Sequence, residues 1–254
     1  IKEVAWRTPS LIAEHLVEGE LRELTNTLNE WRGALRRWYA WLAVLEGFSD
    51  EDAWALQWEF VESIAFQCLF YPSATRDRFT FVATNTLHQV RMAIDATYPD
   101  CLASDPKPGK ENKLRFLPRK EAEAQLEAIA AGLDGGTEFI AWVLSIDEDD
   151  YLGRTSNFRN LASHAIAPRL TIGYTNMVVR HVVPATKMVQ QPDGTFQDEP
   201  IPGKQQVSYG FGGTDPLQLR AVFEANLVEF EKASACFHAY ADTLNKALAT
   251  LPRN

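Results

Sequence analysis

The chain has 254 residues, of which 46% are hydrophobic and 23% charged, and its formal net charge is −9. That length can close a sizeable core, while the acidic total argues against a general nucleic-acid coat, whose affinity comes from cations neutralising phosphates. Three cysteines, Cys68, Cys101 and Cys236, stand far apart with no CxxC pair, which argues against a disulfide framework and a structural zinc site.

Thr8-Pro9 reads as a cap followed by proline in a first helical turn. Leu11, Ile12, Leu16, Leu21, Leu24, Leu28, Trp31, Leu35, Trp38, Trp41, Leu42 and Leu45 then recur at three- and four-residue steps. That spacing predicts one long amphipathic helix, or two broken near Gly33, with a Trp/Leu stripe over 31–45 that serves as core or as a dimer face. Ser49 and the acids after it start a second helix running to about Phe70, because acids suit a helix N-terminus. A third is expected from about Ala74 to Tyr98, followed by a Pro/Gly/Lys loop over 99–113. Helices are expected at 118–133 and at "TEFIAWVLSI", and the motif helix at 156–167.

The period then changes. "LTIGYTNMVVRHVVPA", 170–185, is rich in Val, Ile, Thr and Tyr and reads as strand. "QPDGTFQDEPIPGK" reads as turn, with Asp193-Gly194 as its signal, and "QQVSYGF", 205–211, as the returning strand. A long last helix over 214–250 closes the chain. The expected fold is therefore a mainly α single domain, 1–254, with a β-hairpin or two-strand insertion at about 170–211 before the C-terminal helix. The start "IKEVAWRTPS" has no apolar core segment, and no apolar run reaches 18 residues before a charge breaks it. The expectation is a cytoplasmic protein with no membrane span.

Chemistry concentrates in "NFRNLASHAIAPRL", 157–170. Arg159 and His164 lie five positions apart, so about 140° apart around a helix axis. Asn160 stacks with His164 instead, and Arg159 with Ser163. The long forked guanidinium can still share one phosphate with His164. Pro168 removes the N–H that would bond the His164 carbonyl, which places His164 near a helix C-terminus. The negative end of the helix dipole favours an imidazolium there, and a histidine near neutrality suits proton transfer. From Tyr151 to Pro192, 42 residues, there is no Asp or Glu, but Arg154, Arg159, Arg169, Arg180, Lys187, His164 and His181 are present. This basic island in an acidic chain is where a polyanion would bind.

"RNLASH", 159–164, resembles the Arg-x4–6-His signature of the HEPN superfamily, in which a polar residue commonly follows the arginine. The resemblance implies a HEPN-like helical bundle and a metal-independent endoribonuclease, without cofactor or metal, working as a homodimer with a composite active site. It implies 2′-OH attack on RNA to leave a 2′,3′-cyclic phosphate, with His164 as general acid/base, Arg159 on the scissile phosphate and Asn160 orienting one or the other. Ser163, Arg154, Arg169, Arg180 and His181 would contact RNA. Family members act in toxin–antitoxin and anti-phage systems, so an antitoxin or regulatory protein is a possible partner. The alternative is a non-catalytic helical module that binds RNA or protein.

Other features read as structural. "DEDDY", 147–151, is expected to be a solvated acidic turn ahead of the motif helix. His15 and His88 are expected to be structural or surface residues, and His238 a core or interface residue. No His/Cys/Asp cluster has metal-ligand spacing, and no Asp-His-Ser order is legible.

Overall fold

A computed structural model describes residues 10–106 and 116–251. The expected cap at Thr8-Pro9, the side chains of residues 10–12 and positions 107–113 of the expected loop lie outside the described residues. The elements are α1 (Ser10–Leu45), α2 (Asp50–Leu56), a π-helical turn (Gln57–Val61), α3 (Glu62–Ile94), α4 (Arg119–Ala130), α5 (Gly136–Ser145), α6 (Asp149–Arg154), α7 (Phe158–Ser163), β1 (Val178–Gln190), β2 (Phe196–Phe211) and α8 (Leu219–Ala249). The protein is mainly helical, with one two-stranded antiparallel sheet before the C-terminal helix. It divides into two compact units: residues 1–159 with 219–254, and residues 160–218.

The helical unit is built on α1, α3 and α8, which pack on one another, with α4 against α3 and α5 against α8. In α1 the buried residues Val17, Leu24, Trp31 and Trp38 repeat every seven positions, with Leu35 and Leu42 between the same turns. A seven-residue repeat keeps one seam facing a partner helix. No break occurs at Gly33, and α1 runs unbroken for 36 residues. In α8 the buried set Val222, Asn226, Glu229, Ala233, Cys236, Tyr240, Thr243 and Ala247 steps by four and three residues along its whole length. Trp31 joins the three helices. Its ring stacks on Tyr71 of α3 at 5.6 Å and meets the edge of Phe230 of α8 at 5.4 Å. Its indole N–H donates to Asn226 Oδ1 at 2.9 Å.

The two helices expected over 49–70 and 74–98 are in fact one rod from Asp50 to Ile94, interrupted only by the π-helical turn. Ser49 caps it, accepting a hydrogen bond from the Asp52 N–H. Proline usually ends a helix, but Pro72 lies inside α3. Ala65, Cys68, Leu69, Pro72 and Ser73 are all buried on one stripe, so packing on both sides of the proline holds the helix in register. Between Phe79 and Val90 most side chains of α3 are buried, with Phe81 the exposed exception, as suits a central helix.

The second unit is a long ribbon on a short neck. In the neck, Leu170 pairs with Leu217 and Thr175 with Thr214. Gly213 has φ +131, and a Cβ there would stand 2.8 Å from the Thr175 carbonyl oxygen, so only glycine fits. Strand β1 begins at Val178, eight residues later than expected at Leu170, because residues 170–177 are spent on the neck. Strand β2 begins at Phe196, nine residues earlier than the expected Gln205. The turn is tight: Asp193 Oδ1 accepts from the N–H and hydroxyl of Thr195, and Gly194 has φ +83. Pro200, Pro202 and Gly203, which read as loop, lie within β2. A two-stranded ribbon has two open edges, where a missing N–H costs no ladder bond. Thr186 pairs with Pro200 and Pro184 with Gln205, so Ala185 alone faces the four residues 201–204, and this bulge houses Gly203 at φ +71.

Candidate functional site

The motif helix is shorter than expected. Rather than 156–167 it covers Phe158–Ser163. Its first residue is its anchor: Phe158 is buried and meets the edges of Phe66 and Phe70 of α3 at 4.8 and 6.4 Å. The helix stops before Pro168 has any influence. The Ile166 N–H bonds the Leu161 carbonyl, the Ala165 N–H bonds the Ala162 carbonyl, and Ala165 adopts φ +60. This is a Schellman closure with alanine at the left-handed position that usually takes glycine. It makes His164 the C-cap residue. The same closure ends α6, where Asn157 N–H bonds Leu152 O and Ser156 at φ +49 takes the left-handed position. All six non-glycine residues of positive φ among the described residues fall between Asp147 and Asn176.

Arg159, Asn160, Ser163 and His164 are all exposed. Among the described residues the side chains of Arg159, Asn160 and His164 make no hydrogen bond or ion pair. Ser163 differs: its hydroxyl donates to the Asn160 carbonyl at 2.6 Å, which engages its proton within the helix. Arg154 is exposed in the last turn of α6. Arg169 is exposed in the neck, where its own carbonyl accepts from the Leu217 N–H. Arg180 and His181 are consecutive on β1, so their side chains leave opposite faces of the ribbon and cannot share one surface. Arg180 stands opposite Tyr209, and His181 opposite Ser208.

The acidic tract is only partly the solvated turn expected. Glu148, Asp149 and Asp150 are exposed and open α6, but Asp147 and Tyr151 are buried. Asp147 Oδ2 pairs with Arg119 at 2.8 Å, and Arg119 also reaches Asp77 at 2.7 Å and Ser73 Oγ at 2.6 Å. Burial works against the Arg119 charge, but its bonds to Asp77 and Asp147 outweigh that and hold its pKa above the ordinary value. The Asp147 N–H donates to Glu229, which is 2% exposed and also paired with Lys232 at 2.7 Å. Asn226 donates to the Tyr151 hydroxyl at 2.8 Å, and burial, followed by the nearby Asp147 and Glu229 charges, pushes that phenol's pKa up. Nearby, Arg76 pairs with Glu123 and donates to the Leu144 and Ile146 carbonyls. Each buried charge has a partner, so this network fastens α3, α4, α5 and α8 together.

His88 takes the first of its two expected roles, structural rather than surface. His88 is buried, with Nδ1 3.1 Å from the Tyr98 hydroxyl and Nε2 3.0 Å from Asp100, and so ties α3 to the segment after it. Of the two places expected for His238, core or interface, its exposure excludes the core. Cys68 is buried and its thiol is pushed up to about 12 by that burial, whereas Cys101 is exposed. The ribbon aromatics Tyr209 and Phe211 are largely exposed; their alternation with Val207 was the available signal. An open depression of about 350 Å³ between α1 and α3, lined by Asn26, Asn29, Glu30, Gly33, Arg37 and Gln67, includes none of the candidate residues. Among the described residues no group of three His, Cys, Asp or Glu side chains is placed to hold a metal ion, and no helix is long and apolar enough to cross a membrane. Compared with family models, curated proteins and solved structures, the chain gives no significant match.

Proposed function

We propose that the protein is a HEPN-like endoribonuclease that cuts RNA by internal transesterification. The observation that carries this reading is the exposure of Arg159, Asn160 and His164 along one short helix and its cap, untethered among the described residues, inside a 42-residue stretch without a carboxylate. An untethered guanidinium in such a stretch suits a phosphate. His164 takes the proton from a ribose 2′-OH as the 2′-oxygen bonds to phosphorus. The P–O5′ bond breaks, and a second imidazole, supplied by another copy of the chain, protonates the leaving oxygen. Arg159 neutralises the charge that builds on the phosphoryl oxygens, and Asn160 orients the phosphate. The products are a 2′,3′-cyclic phosphate and a 5′-OH, and no water is consumed. Two protomers, and an antitoxin or other regulatory protein, are the partners this reading carries with it.

One observation favours a second reading, RNA binding without cleavage. A general base is ordinarily oriented by a third group, and the His164 ring has no hydrogen-bond partner among the described residues.

Incubating the chain with single-stranded RNA in EDTA decides between them. Cleavage with cyclic-phosphate ends is expected, falling by about 10²–10⁴ in His164→Ala. Equal cleavage by His164→Ala removes the assignment of the base. Loss of the parent's cleavage on adding EDTA points to a metal enzyme. Binding without any cleavage establishes the second reading.

A further inference from the structure

On one face of the ribbon, at its base, three cross-strand pairs follow in order: Val178 with Phe211, Arg180 with Tyr209, and Val182 with Val207. Directly paired residues share a face, so the two aromatic rings and the guanidinium lie together. This face is open: Phe211 is 91% exposed, Tyr209 68% and Val178 62%. Neither ring packs against another aromatic ring among the described residues. The opposite face carries Val179, His181 and Val183 against Gly210, Ser208 and Gln206, so His181 is its one ring and no two rings stand along a strand there.

We propose that the Tyr209/Phe211/Arg180 face is a stacking platform for unpaired RNA bases. The inference rests on the RNA reading above and names its substrate as single-stranded. Three features select that occupant. First, this face carries the Arg180 cation, and the two strand segments that form it, 175–184 and 204–214, contain no Asp or Glu to repel a polyanion. Second, Tyr209 and Phe211 are two residues apart on one strand, roughly 7 Å along it, about twice the 3.4 Å step of bases in a duplex. An extended strand with splayed bases meets that spacing, and paired bases do not. Exposed aromatic faces with arginine between them are what unpaired bases stack on. Third, a second copy docking through this same face would bring Arg180 no carboxylate, so its cation would be buried without a partner.

The test uses the full chain carrying His164→Ala, so that RNA survives, and follows fluorescence anisotropy of an unpaired twelve-nucleotide RNA and of a duplex of equal length. Preferred binding of the unpaired strand is expected. Tyr209→Ala and Phe211→Ala should each weaken it roughly tenfold, while Tyr209→Phe should retain it. Arg180→Ala should reduce the slope of log affinity against log salt by about one. Equal affinity for the duplex, or unchanged affinity in the Tyr209→Ala/Phe211→Ala double variant, overturns the platform. So does a fall in sedimenting mass in that double variant with RNA affinity intact, which would make the occupant a second copy. The two readings separate cleanly. A parent that never cleaves but loses RNA with Tyr209 and Phe211 keeps the platform and loses the nuclease. A parent that cleaves regardless of both rings keeps the nuclease and loses the platform.

Discussion

The helical unit and the ribbon unit solve the problem of apolar side chains in opposite ways. In the first, Trp31, Trp38 and Phe79 are fully buried, and even polar side chains such as Asn226 and Glu229 are enclosed with partners. In the second, Val182, Met188, Phe196, Tyr209 and Phe211 stand more than half exposed on a sheet of only two strands. A two-stranded sheet has no second layer of its own, and in isolation it is marginal. Stability therefore concentrates in the helices, which still expose Tyr39, Trp58 and Phe81, while exposed apolar side chains are densest along the ribbon and its neck.

Substitutions of opposite character test this contrast. Glu229→Ala should destabilise most. It takes from Lys232 the closer of its two carboxylate partners and leaves the Asp147 N–H without an acceptor inside the core, a loss of about 1–3 kcal/mol read as a lower urea midpoint. Phe211→Ala removes a larger side chain yet should change the unfolding free energy by less than about 0.5 kcal/mol, because the ring is already in water. A ribbon substitution as costly as the Glu229 one would break the comparison.

A smaller effect of opposite sign belongs to the closure of α7. Ala165 holds φ +60, where an alanine Cβ is strained and glycine is not. Ala165→Gly should raise stability by about 1 kcal/mol, measured by the same unfolding curve, and leave His164 as the cap.

The smallest effect is at the ribbon tip. The Thr195 hydroxyl and then its N–H hold the Asp193 carboxyl below its ordinary pKa. A depressed acid stabilises the fold above its unfolded pKa, about 3.9, and that contribution fades as pH falls through the folded value. The Thr195 amide resonance should therefore shift towards its unfolded position only at acid pH, with the α1 and α8 amides unchanged over the same range.

The legible parts of the molecule were those with a periodic pattern. The recurrence of Leu24, Trp31 and Trp38 in α1, and of Val222 through Tyr240 in α8, followed from a buried seam. The outer half of the ribbon was not legible for the complementary reason. Residues 196–204 face no core, so nothing selects alternating apolar residues, and Pro200, Pro202 and Gly203 carry the signature of a loop. The rod through Pro72 was hidden because packing, which is non-local, overrode a local breaker. At the candidate site, the exposure of Arg159 and His164 agrees with the charge pattern around them. The early helix end at Ser163 does not follow from composition, since alanine is a strong helix former and Ala165 ends it. Asp147 misled for another reason: its partner Arg119 lies 28 residues away, and an acid beside three solvated acids gives no sign of being the buried one.

The polar pair in the α8 seam has a consequence for assembly. Asn226 and Glu229 occupy positions where every neighbouring step of the pattern is apolar or small, and each is matched to a particular group, Asn226 to Trp31 and Tyr151, Glu229 to Lys232 and the Asp147 N–H. Sliding α8 by one seven-residue repeat would keep the apolar seam nearly intact, yet it would carry both side chains away from those groups and strand a carboxylate in the interior. The pair thus acts as an alignment key, rejecting the shifted packings that a purely greasy stripe would tolerate.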